Sequence, residues 1–279
     1  MTVNNAGVKE QRQNLTGKIR VGIGGWSFAP WRGTFYPKGL PQHEELAFAA
    51  AKLTTIEINA TFYRLQSPAT YCNWAAAVPD GFVFSVKGHR RATHAKDLSD
   101  SNDAIKWFLG SGVLLLGEKL GPILWQFPPF KRFEEKGIAK FLEKLPHRME
   151  GRTIRHAVEV RHRSFETPAF VRLLADCNVV AVYSDGEKYP AIADLTGDTV
   201  YARLQRGDDA LPAAYPPGEL DAWSARAKLW AKGGAPDDLP LIDPSRKPEG
   251  KPRDVFVYFI HEGKLRAPAA AMALIDRLP

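Results

Sequence analysis

The sequence predicts a single α/β domain built as a (β/α)8 TIM barrel. Eight short apolar runs rich in Val, Ile and Phe recur along the chain, and most of the intervals between them carry apolar residues at helical spacing. Strands that alternate with helices at intervals of about 30 residues indicate a parallel sheet, and eight such units favour closure of that sheet into a barrel. The length of 279 residues fits one such domain.

The predicted strands follow a polar N-terminal segment. Residues 1–18 lack periodicity and are predicted to be a flexible tail, so the barrel domain is predicted to span residues 19–279. Residues 231–253 are dense in Pro, Gly and charge, and we expect an exposed loop there, before the last strand and opposite the mouth. The predicted strands start at Ile19, Thr54, Phe82, Gly121, His156, Val179, Thr199 and Asp254.

The composition narrows the class of protein. Hydrophobic residues make up 44% and charged residues 25%, which is typical of a globular chain and excludes disordered and collagen-like architectures. Cys72 and Cys177 lie far apart without CxxC spacing, so we expect free, buried thiols. No apolar run reaches the roughly 18 residues of a membrane helix and no signal sequence is recognisable, which predicts a cytoplasmic protein with no membrane partner.

Polar residues occur late in the predicted strands. A charge inside a buried parallel strand is costly unless it lies near the strand end, and in a (β/α)8 barrel the carboxyl ends of the strands build the active site. Gln126 lies at this late position in the fourth strand. Because side chains alternate, residues two apart share a face, and the pairs are Glu57 with Asn59, Ser85 with Lys87, Glu159 with Arg161, Tyr183 with Asp185, and Tyr201 with Arg203.

The turn after the first strand, GIGGWSFAPWRGTFYP, combines glycines with aromatic residues. It lacks the GxGxxG order of a dinucleotide loop. Trp26 and the aromatics that follow it could stack a sugar or a base, or they could plug the end of the barrel, and the sequence leaves both readings open.

The motifs together resemble one known family. Matching segments are VGIGGWSFAPWRGTFYP, TIEINATFYRL, FVFSVKGHRRATHAKDL, LWQFPPFKRF, AVEVRHRSF, YSDG, YARLQRG and VYFIHEGKLRAPAAA. On these segments the chain resembles the YecE-like proteins, a bacterial family with a domain of unknown function (DUF72). The resemblance implies a (β/α)8 barrel and carries the family's polar positions to Glu57, Asn59, Tyr63, Lys87, His94, Gln126, Glu159, Arg161, Asp185 and Arg203.

Two segments depart from the pattern of that family. The usual Asn-Asn after the last strand is Ile260-His261 here, and the usual Arg-x-His-Gly of the seventh strand ends in Gln205-Arg206-Gly207. The role of His261 therefore stays open.

These positions define the candidate site. The candidate catalytic residues are Glu57, Lys87, Glu159 and Asp185, with the choice between acid and base left open. Lys87 could be an electrostatic clamp or a Schiff-base nucleophile. His94 with the carboxylates could hold a divalent metal, although no local spacing indicates one. The candidate substrate-binding residues are Trp26, Asn59, Tyr63, His94, Gln126, Arg161 and Arg203.

Three functions fit these residues. The first is an enzyme, a hydrolase or an isomerase or lyase, that acts by acid-base or metal-assisted chemistry on an anionic phosphorylated or sugar-like substrate, with nucleic acid as one option, because arginine forks suit phosphate and carboxylate. The second is a nucleic-acid-binding protein without catalysis, which the net charge of +7 permits. The third is a ligand-binding or scaffold barrel whose charges are structural.

Overall fold

The computed structural model describes residues 16–246 and 249–278, except for the side chains of Ser99, His261 and Glu262. Residues 1–15, which make up most of the predicted tail, lie outside this part of the chain. The strands are β1 (Ile19–Gly24), β2 (Thr55–Ile58), β3 (Val83–Lys87), β4 (Leu120–Gln126), β5 (Arg148–Met149), β6 (Arg152–Thr153), β7 (His156–Glu159), β8 (Val180–Ser184), β9 (Thr199–Arg206) and β10 (Asp254–Glu262).

Eight of these strands form one closed barrel, in the order β1-β10-β9-β8-β7-β4-β3-β2. Every neighbouring pair in this barrel is parallel. Strands β5 and β6 form a separate antiparallel pair. The predicted (β/α)8 barrel is confirmed, and all eight strands expected from the sequence belong to it.

Helices connect the strands. The first turn of the third helix shows how the sequence starts one: Ser67 accepts a hydrogen bond from the backbone N–H of Thr70, and Pro68 occupies the first helical position. Among the described residues, no helix has both the length and the apolar character needed to cross a bilayer. The helices are α1 (Glu45–Ala50), α2 (Ala60–Tyr63), α3 (Pro68–Ala76), α4 (Arg90–Thr93), α5 (Ser101–Leu109), α6 (Glu135–Leu142), α7 (Pro168–Asp176), α8 (Pro217–Ala231) and α9 (Ala267–Ile275), with single 3-10 segments at Ala29–Trp31, Gln42–Glu44, Leu98–Asp100, Val113–Lys119 and Arg163–Phe165.

Buried apolar residues form two separate clusters. The larger cluster lies between the sheet and the surrounding helices and includes Trp125 and Phe141, whose rings are in contact. The smaller cluster fills the inside of the barrel, because its members share one face of neighbouring strands. Its members are Val83, Leu124, Ala157, Val180, Val182, Tyr201, Phe256, Tyr258 and Ile260. This packed interior closes the barrel beneath its polar end.

The cysteines and the first-turn aromatics differ in burial. Cys72 is exposed and Cys177 is half-buried, so the expectation of two buried thiols was wrong. Cys72 follows Tyr71 on α3, and Tyr71 is the residue that this helix buries. Trp31 and Tyr36 are only 1% exposed and belong to the larger core. These two rings therefore pack in the protein interior, between the sheet and the helices.

The segment between α8 and β10 is partly docked. Much of it is exposed, but Leu239 and Asp243 are buried. The Asp194 carboxylate accepts backbone N–H groups of Ile242 at 2.7 Å and Asp243 at 2.9 Å. This contact ties the segment to the loop that leads into β9.

Candidate active site at the mouth of the barrel

Arg203 lies at the centre of a buried ion-pair network at the carboxyl end of the barrel. Its Nε and Nη2 atoms donate to the two Glu57 oxygens at 3.1 and 3.0 Å, and Nη1 donates to Glu159 Oε2. Gln126 Nε2 also donates to Glu159 Oε2, at 2.9 Å. With Lys87 these residues form what we call the mouth cluster: Glu57, Lys87, Gln126, Glu159 and Arg203. Each is at most 7% exposed, and the structure brings together residues from five strands.

A layer of hydroxyl groups supports the mouth cluster from below. Tyr201 donates to Glu57 Oε2 at 2.7 Å. Because that bond uses the only proton of the Tyr201 hydroxyl, Ser85 donates to Tyr201, at 2.5 Å. These bonds fix the Glu57 carboxylate from a second direction, so both of its oxygens already have partners.

Glu159 is ionised in this environment. Burial alone would raise its pKa, but the charges of Arg203, Arg161 and Lys87 outweigh burial and lower the pKa of Glu159 to about 2. Arg161 Nε donates to Glu159 Oε1 at 2.9 Å. With Arg203 and Gln126 on the other oxygen, Glu159 is fully engaged and is poorly suited to exchange protons with a substrate.

Lys87 differs from the other charged members of the mouth cluster. Its Nζ lies 4.1 Å from the centroid of the Phe62 ring, and it makes no hydrogen bond or ion pair with any residue that the structure describes. Burial, together with repulsion from Arg203, lowers the pKa of Lys87 to about 8 against the opposing effect of Glu57 and Glu159. Both the neutral amine and the ammonium ion are therefore accessible near neutral pH.

Arg161 and Asn59 lie at the open side of the mouth cluster. Both are half-buried. The Arg161 guanidinium lies over the Tyr189 ring, 4.6 Å from its centroid. Asn59 Nδ2 donates weakly to the Glu57 carbonyl oxygen at 3.3 Å. A Cβ atom at Gly24 would come within 3.1 Å of Asn59 Nδ2, so the glycine leaves the space that Asn59 occupies.

An aromatic rim surrounds His94. The His94 ring contacts the Phe62 ring at 5.5 Å and the Phe130 ring at 6.1 Å between centroids. Tyr63 and Phe130 are 66% and 68% exposed. Burial, followed by the charge of Arg90, lowers the pKa of His94, with Lys87 and Arg161 adding to the effect. His94 is thus close enough to the mouth for the charges of Lys87 and Arg161 to disfavour its protonated form.

Asp185 does not join the mouth cluster. It shares a face with Tyr183, as the sequence indicated, but that face points outward, because the Tyr183 ring contacts Trp223 of α8. Asp185 Oδ1 accepts the backbone N–H of Gln205 at 2.5 Å. Burial raises the pKa of Asp185 to about 6, and the Gln205 N–H and Arg206 partly oppose this. The inward residue of β8 is Ser184, the register partner of Arg203.

Trp26 also lies away from the mouth cluster. Its ring packs edge-to-face on Trp74 of α3 at 5.4 Å and contacts Phe84 at 6.5 Å between centroids. Phe84 belongs to the core outside the barrel. The interpretation of Trp26 as a substrate-stacking residue therefore has no support from its position.

Sequence reasoning missed four residues at or near the mouth. Gln205 and Ser184 are buried and bonded to each other, with Nε2 to Oγ at 2.7 Å. The alternation that selects Tyr201 and Arg203 also selects Gln205, so the same signal could have found it. Phe62 and Tyr189, which contact Lys87 and Arg161, carry no pattern in the sequence that distinguishes them from core aromatics.

A bound metal ion needs several ligating side chains that converge on one point. Among the described residues, no group of three or more His, Cys, Asp or Glu side chains is arranged to hold a metal ion. Arg203 already donates hydrogen bonds to both carboxylate oxygens of Glu57 and to Oε2 of Glu159. The side chain of His261, which was considered as a further polar group, lies outside the described residues.

The chain is similar in sequence to proteins of one family. A family model described as "Protein of unknown function DUF72" matches residues 20–279. The protein YunF of Bacillus subtilis (strain 168), named UPF0759, is 29% identical over 159 residues, which is 54% of each chain. The UPF0759 protein YecE of Escherichia coli (strain K12) is 28% identical over 148 residues, covering 53% of this chain and 50% of YecE. These matches span about half the length of the curated relatives.

Solved structures of the same family are similar over nearly the whole chain. A DUF72 family protein from Thermotoga maritima MSB8 has a TM-score of 0.66 at 21% identity and covers 92% of this chain and 97% of its own. A DUF72 family protein from Enterococcus faecalis V583 has a TM-score of 0.66 at 18% identity, covering 93% and 95%. At these identities the similarity shows the fold alone.

Proposed function

We propose that this chain, which belongs to the DUF72 family of proteins of unknown function, is an enzyme that binds a small anionic substrate at the mouth of its barrel. In this proposal the substrate is phosphorylated or carboxylated and sugar-like, and Lys87 carries out acid-base chemistry on it. Glu57, Glu159 and Arg203 form the rigid support beneath, and Arg161 holds the anionic group.

The unbalanced charge of the mouth carries the proposal. Among the described side chains, Lys87, Arg161 and Arg203 face two carboxylates, Glu57 and Glu159, and Arg203 occupies oxygens of both. Lys87 is left without a counter-ion among the described residues, and Arg161 has one carboxylate contact. A ligand anion would supply the missing charge, and arginine and lysine donors are the usual partners of phosphate and carboxylate.

The pKa values support a division of roles. Glu159, with a pKa of about 2, stays a carboxylate and cannot donate a proton near neutral pH. Lys87, with a pKa of about 8, can accept or release a proton there. We therefore assign proton transfer to Lys87, and we assign to Glu57 and Glu159 the electrostatic support of a positive charge on it.

Inorganic phosphate is the first probe of this site. Phosphate at ten times its Kd should stabilise the protein by about 1.4 kcal/mol relative to chloride at equal ionic strength. Thermal unfolding of the native chain and of Arg161→Gln measures this, and the variant should lose most of the effect. Lys264→Gln is the control, because Lys264 is an exposed lysine beside an aromatic ring elsewhere. Equal stabilisation of all three proteins would refute the proposed site.

Acid-base turnover is tested separately, with phosphorylated sugars and sugar acids in D2O. An enzyme that abstracts protons next to a carbonyl group will incorporate deuterium at that carbon, which NMR detects. Lys87→Met should abolish the exchange. Exchange that persists in Lys87→Met would remove Lys87 from the proposed chemistry.

Nucleic-acid binding is a second candidate function. The exposed rings of Tyr63 and Phe130 favour it, since Phe130 contacts His94 and Tyr63 contacts Phe62 beside it, and exposed aromatics near basic residues stack bases. Binding of single-stranded DNA that weakens steeply with salt would support this candidate. Binding that is unchanged in Phe130→Ala would count against it.

A further inference from the structure

We propose that Lys87 is a nucleophile that forms an imine with a small carbonyl compound carrying a carboxylate or phosphate group. This inference rests on the proposed function above and names its substrate class. It is carried by the surroundings of the Lys87 side chain.

The Lys87 amine differs from the other partly buried lysines. Those amines donate to backbone carbonyls, as a buried ammonium ion must to offset its loss of water. The pairs include Lys119 with Ala75 and Val78, Lys131 with Ala95, and Lys228 with Arg277, at 2.6–2.8 Å, and Lys144 with Leu98, at 3.2 Å. Lys87 has no such acceptor among the described residues, although it is only 7% exposed.

A purely structural cation would find a partner in this cluster. Glu57 and Glu159 are the neighbouring acceptors, and Arg203 takes oxygens of both. The charge of Arg203 also repels an ammonium ion at Lys87 and, with burial, lowers the pKa of Lys87. The network therefore makes the neutral amine, with its free lone pair, more accessible near neutral pH than in an ordinary lysine, and this is the form that attacks carbonyl carbon.

The aromatic contact of Lys87 does not explain its environment by itself. Lys264 Nζ lies at nearly the same distance from a ring, 4.2 Å from the Phe28 centroid, but Lys264 is exposed. The two lysines share a ring contact and differ in burial and in neighbouring charges. Lys264 is thus a matched control within the same chain.

The chemistry balances without a cofactor. The neutral Nζ attacks the carbonyl carbon, a C–N bond forms, and one nitrogen proton moves to the carbonyl oxygen to give a carbinolamine. The C–O bond then breaks, and that oxygen leaves as water with the second nitrogen proton. The resulting imine takes up a proton to become a cation, which Glu57 and Glu159 stabilise as they stabilise the ammonium form of Lys87.

Arg161 gives the substrate its second attachment point. Its guanidinium is half-buried, held by Glu159 on one side and by the Tyr189 ring on the other. The charge of Arg161 also contributes to the lowering of the pKa of Lys87, which indicates that the two side chains are close. A compound with an anionic group and a nearby carbonyl group could engage both.

Borohydride trapping of the full chain tests the inference. The protein is incubated with pyruvate, with dihydroxyacetone phosphate, or with neutral dihydroxyacetone, and is then reduced with sodium borohydride. Intact mass should rise by one probe molecule less one oxygen atom, and peptide mapping should locate the label on Lys87. The anionic probes should label at least about tenfold more than the neutral one, since a charge-assisted contact to Arg161 contributes at least 1.4 kcal/mol.

The controls separate this inference from the proposed function. Lys87→Arg keeps the positive charge and should lose the label, whereas Lys264→Arg should keep it. Mapping in the unmodified protein makes the test independent of whether a variant folds. No label, or label spread equally over Lys264 and other exposed lysines, overturns the inference even if phosphate still stabilises the protein. Label on Lys87 without preference for anionic probes overturns the anionic substrate class, and the proposed function with it.

Discussion

The two ends of the barrel hold the same kinds of charged side chain in opposite arrangements. At the mouth, Arg203 contacts Glu57 at 3.0 and 3.1 Å, and both residues are nearly inaccessible to solvent. At the other end, Arg155 lies 3.9 Å from both Asp198 and Asp254, and its side chain is 39% exposed. Arg20 reaches Asp254 at 3.5 Å.

The difference separates a rigid, fully buried network from longer, partly exposed ion pairs. Buried charges need hydrogen-bond partners, which restricts the geometry of the mouth cluster. If one member is removed, its partners stay buried without a compensating charge, and this costs a large desolvation free energy. The pairs at the other end are longer and only partly buried, so water screens them more and they contribute less. The network thus holds the charged side chains of the mouth in fixed positions and leaves the Lys87 amine without a hydrogen bond to any described residue. Such an arrangement suits a reactive site.

Removal of the central cation should have the largest effect. Arg203→Met leaves the buried Glu57 carboxylate without its arginine partner and leaves Glu159 with Arg161 as its one arginine partner among the described residues, and we expect the free energy of unfolding to fall by about 3–5 kcal/mol. Urea denaturation at pH 7 measures this, with coincident fluorescence and circular dichroism transitions as the check on two-state unfolding. A loss below about 1 kcal/mol would show that the mouth behaves like the opposite end.

Removal of the unpaired amine should have a smaller effect of opposite sign. Lys87→Met should raise the free energy of unfolding at pH 7 by about 1–3 kcal/mol, because it removes a buried ammonium ion whose pKa is lowered by burial and by Arg203.

The pH dependence of that difference gives a sharper test. Between the lowered pKa of about 8 and the ordinary value of about 10.4, the unfolded state holds more protons than the folded state, so the contribution of Lys87 to stability rises with pH. The advantage of Lys87→Met should therefore be full below about pH 8 and shrink toward pH 10. A difference that is constant with pH would mean that Lys87 is not desolvated.

The smallest effect is expected at the opposite end. Arg155→Met removes the same guanidinium group as Arg203→Met, but from pairs that are long and partly exposed. Its free energy of unfolding should stay within about 0.5 kcal/mol of the native value. A cost comparable to that of Arg203→Met would contradict the contrast between the ends.

Much of the candidate site followed from the alternation of side chains. Glu57, Lys87, Gln126, Glu159 and Arg203 were each selected by a late position on an apolar strand, and all of them meet in the mouth cluster. The eight strands were predicted for a similar reason, because burial on both faces demands apolar runs.

Two of the predicted site residues, Asp185 and Trp26, lie away from the mouth cluster for different physical reasons. Asp185 was placed two residues after Tyr183 on a shared face, which was right, but a strand pattern alone does not say which face points inward. A shift of one residue exchanges the two faces, and here Ser184 is the inward one. For Trp26 the reason is different, because an aromatic residue in a glycine-rich turn can pack on either side of the chain. The sequence did not indicate that Trp74 and Phe84 would be the rings it contacts.

The sequence by itself determined the barrel, the family resemblance and the set of polar residues near the strand ends, since these depend on local periodicity and on motifs. Only the tertiary structure decided that Arg203 of β9 bridges carboxylates from β2 and β7 and leaves Lys87 of β3 without a hydrogen-bond partner in the described part of the chain. The reason is that closure and register bring together strands that are far apart along the chain, and the pairing of buried charges is settled by distances that no local pattern contains.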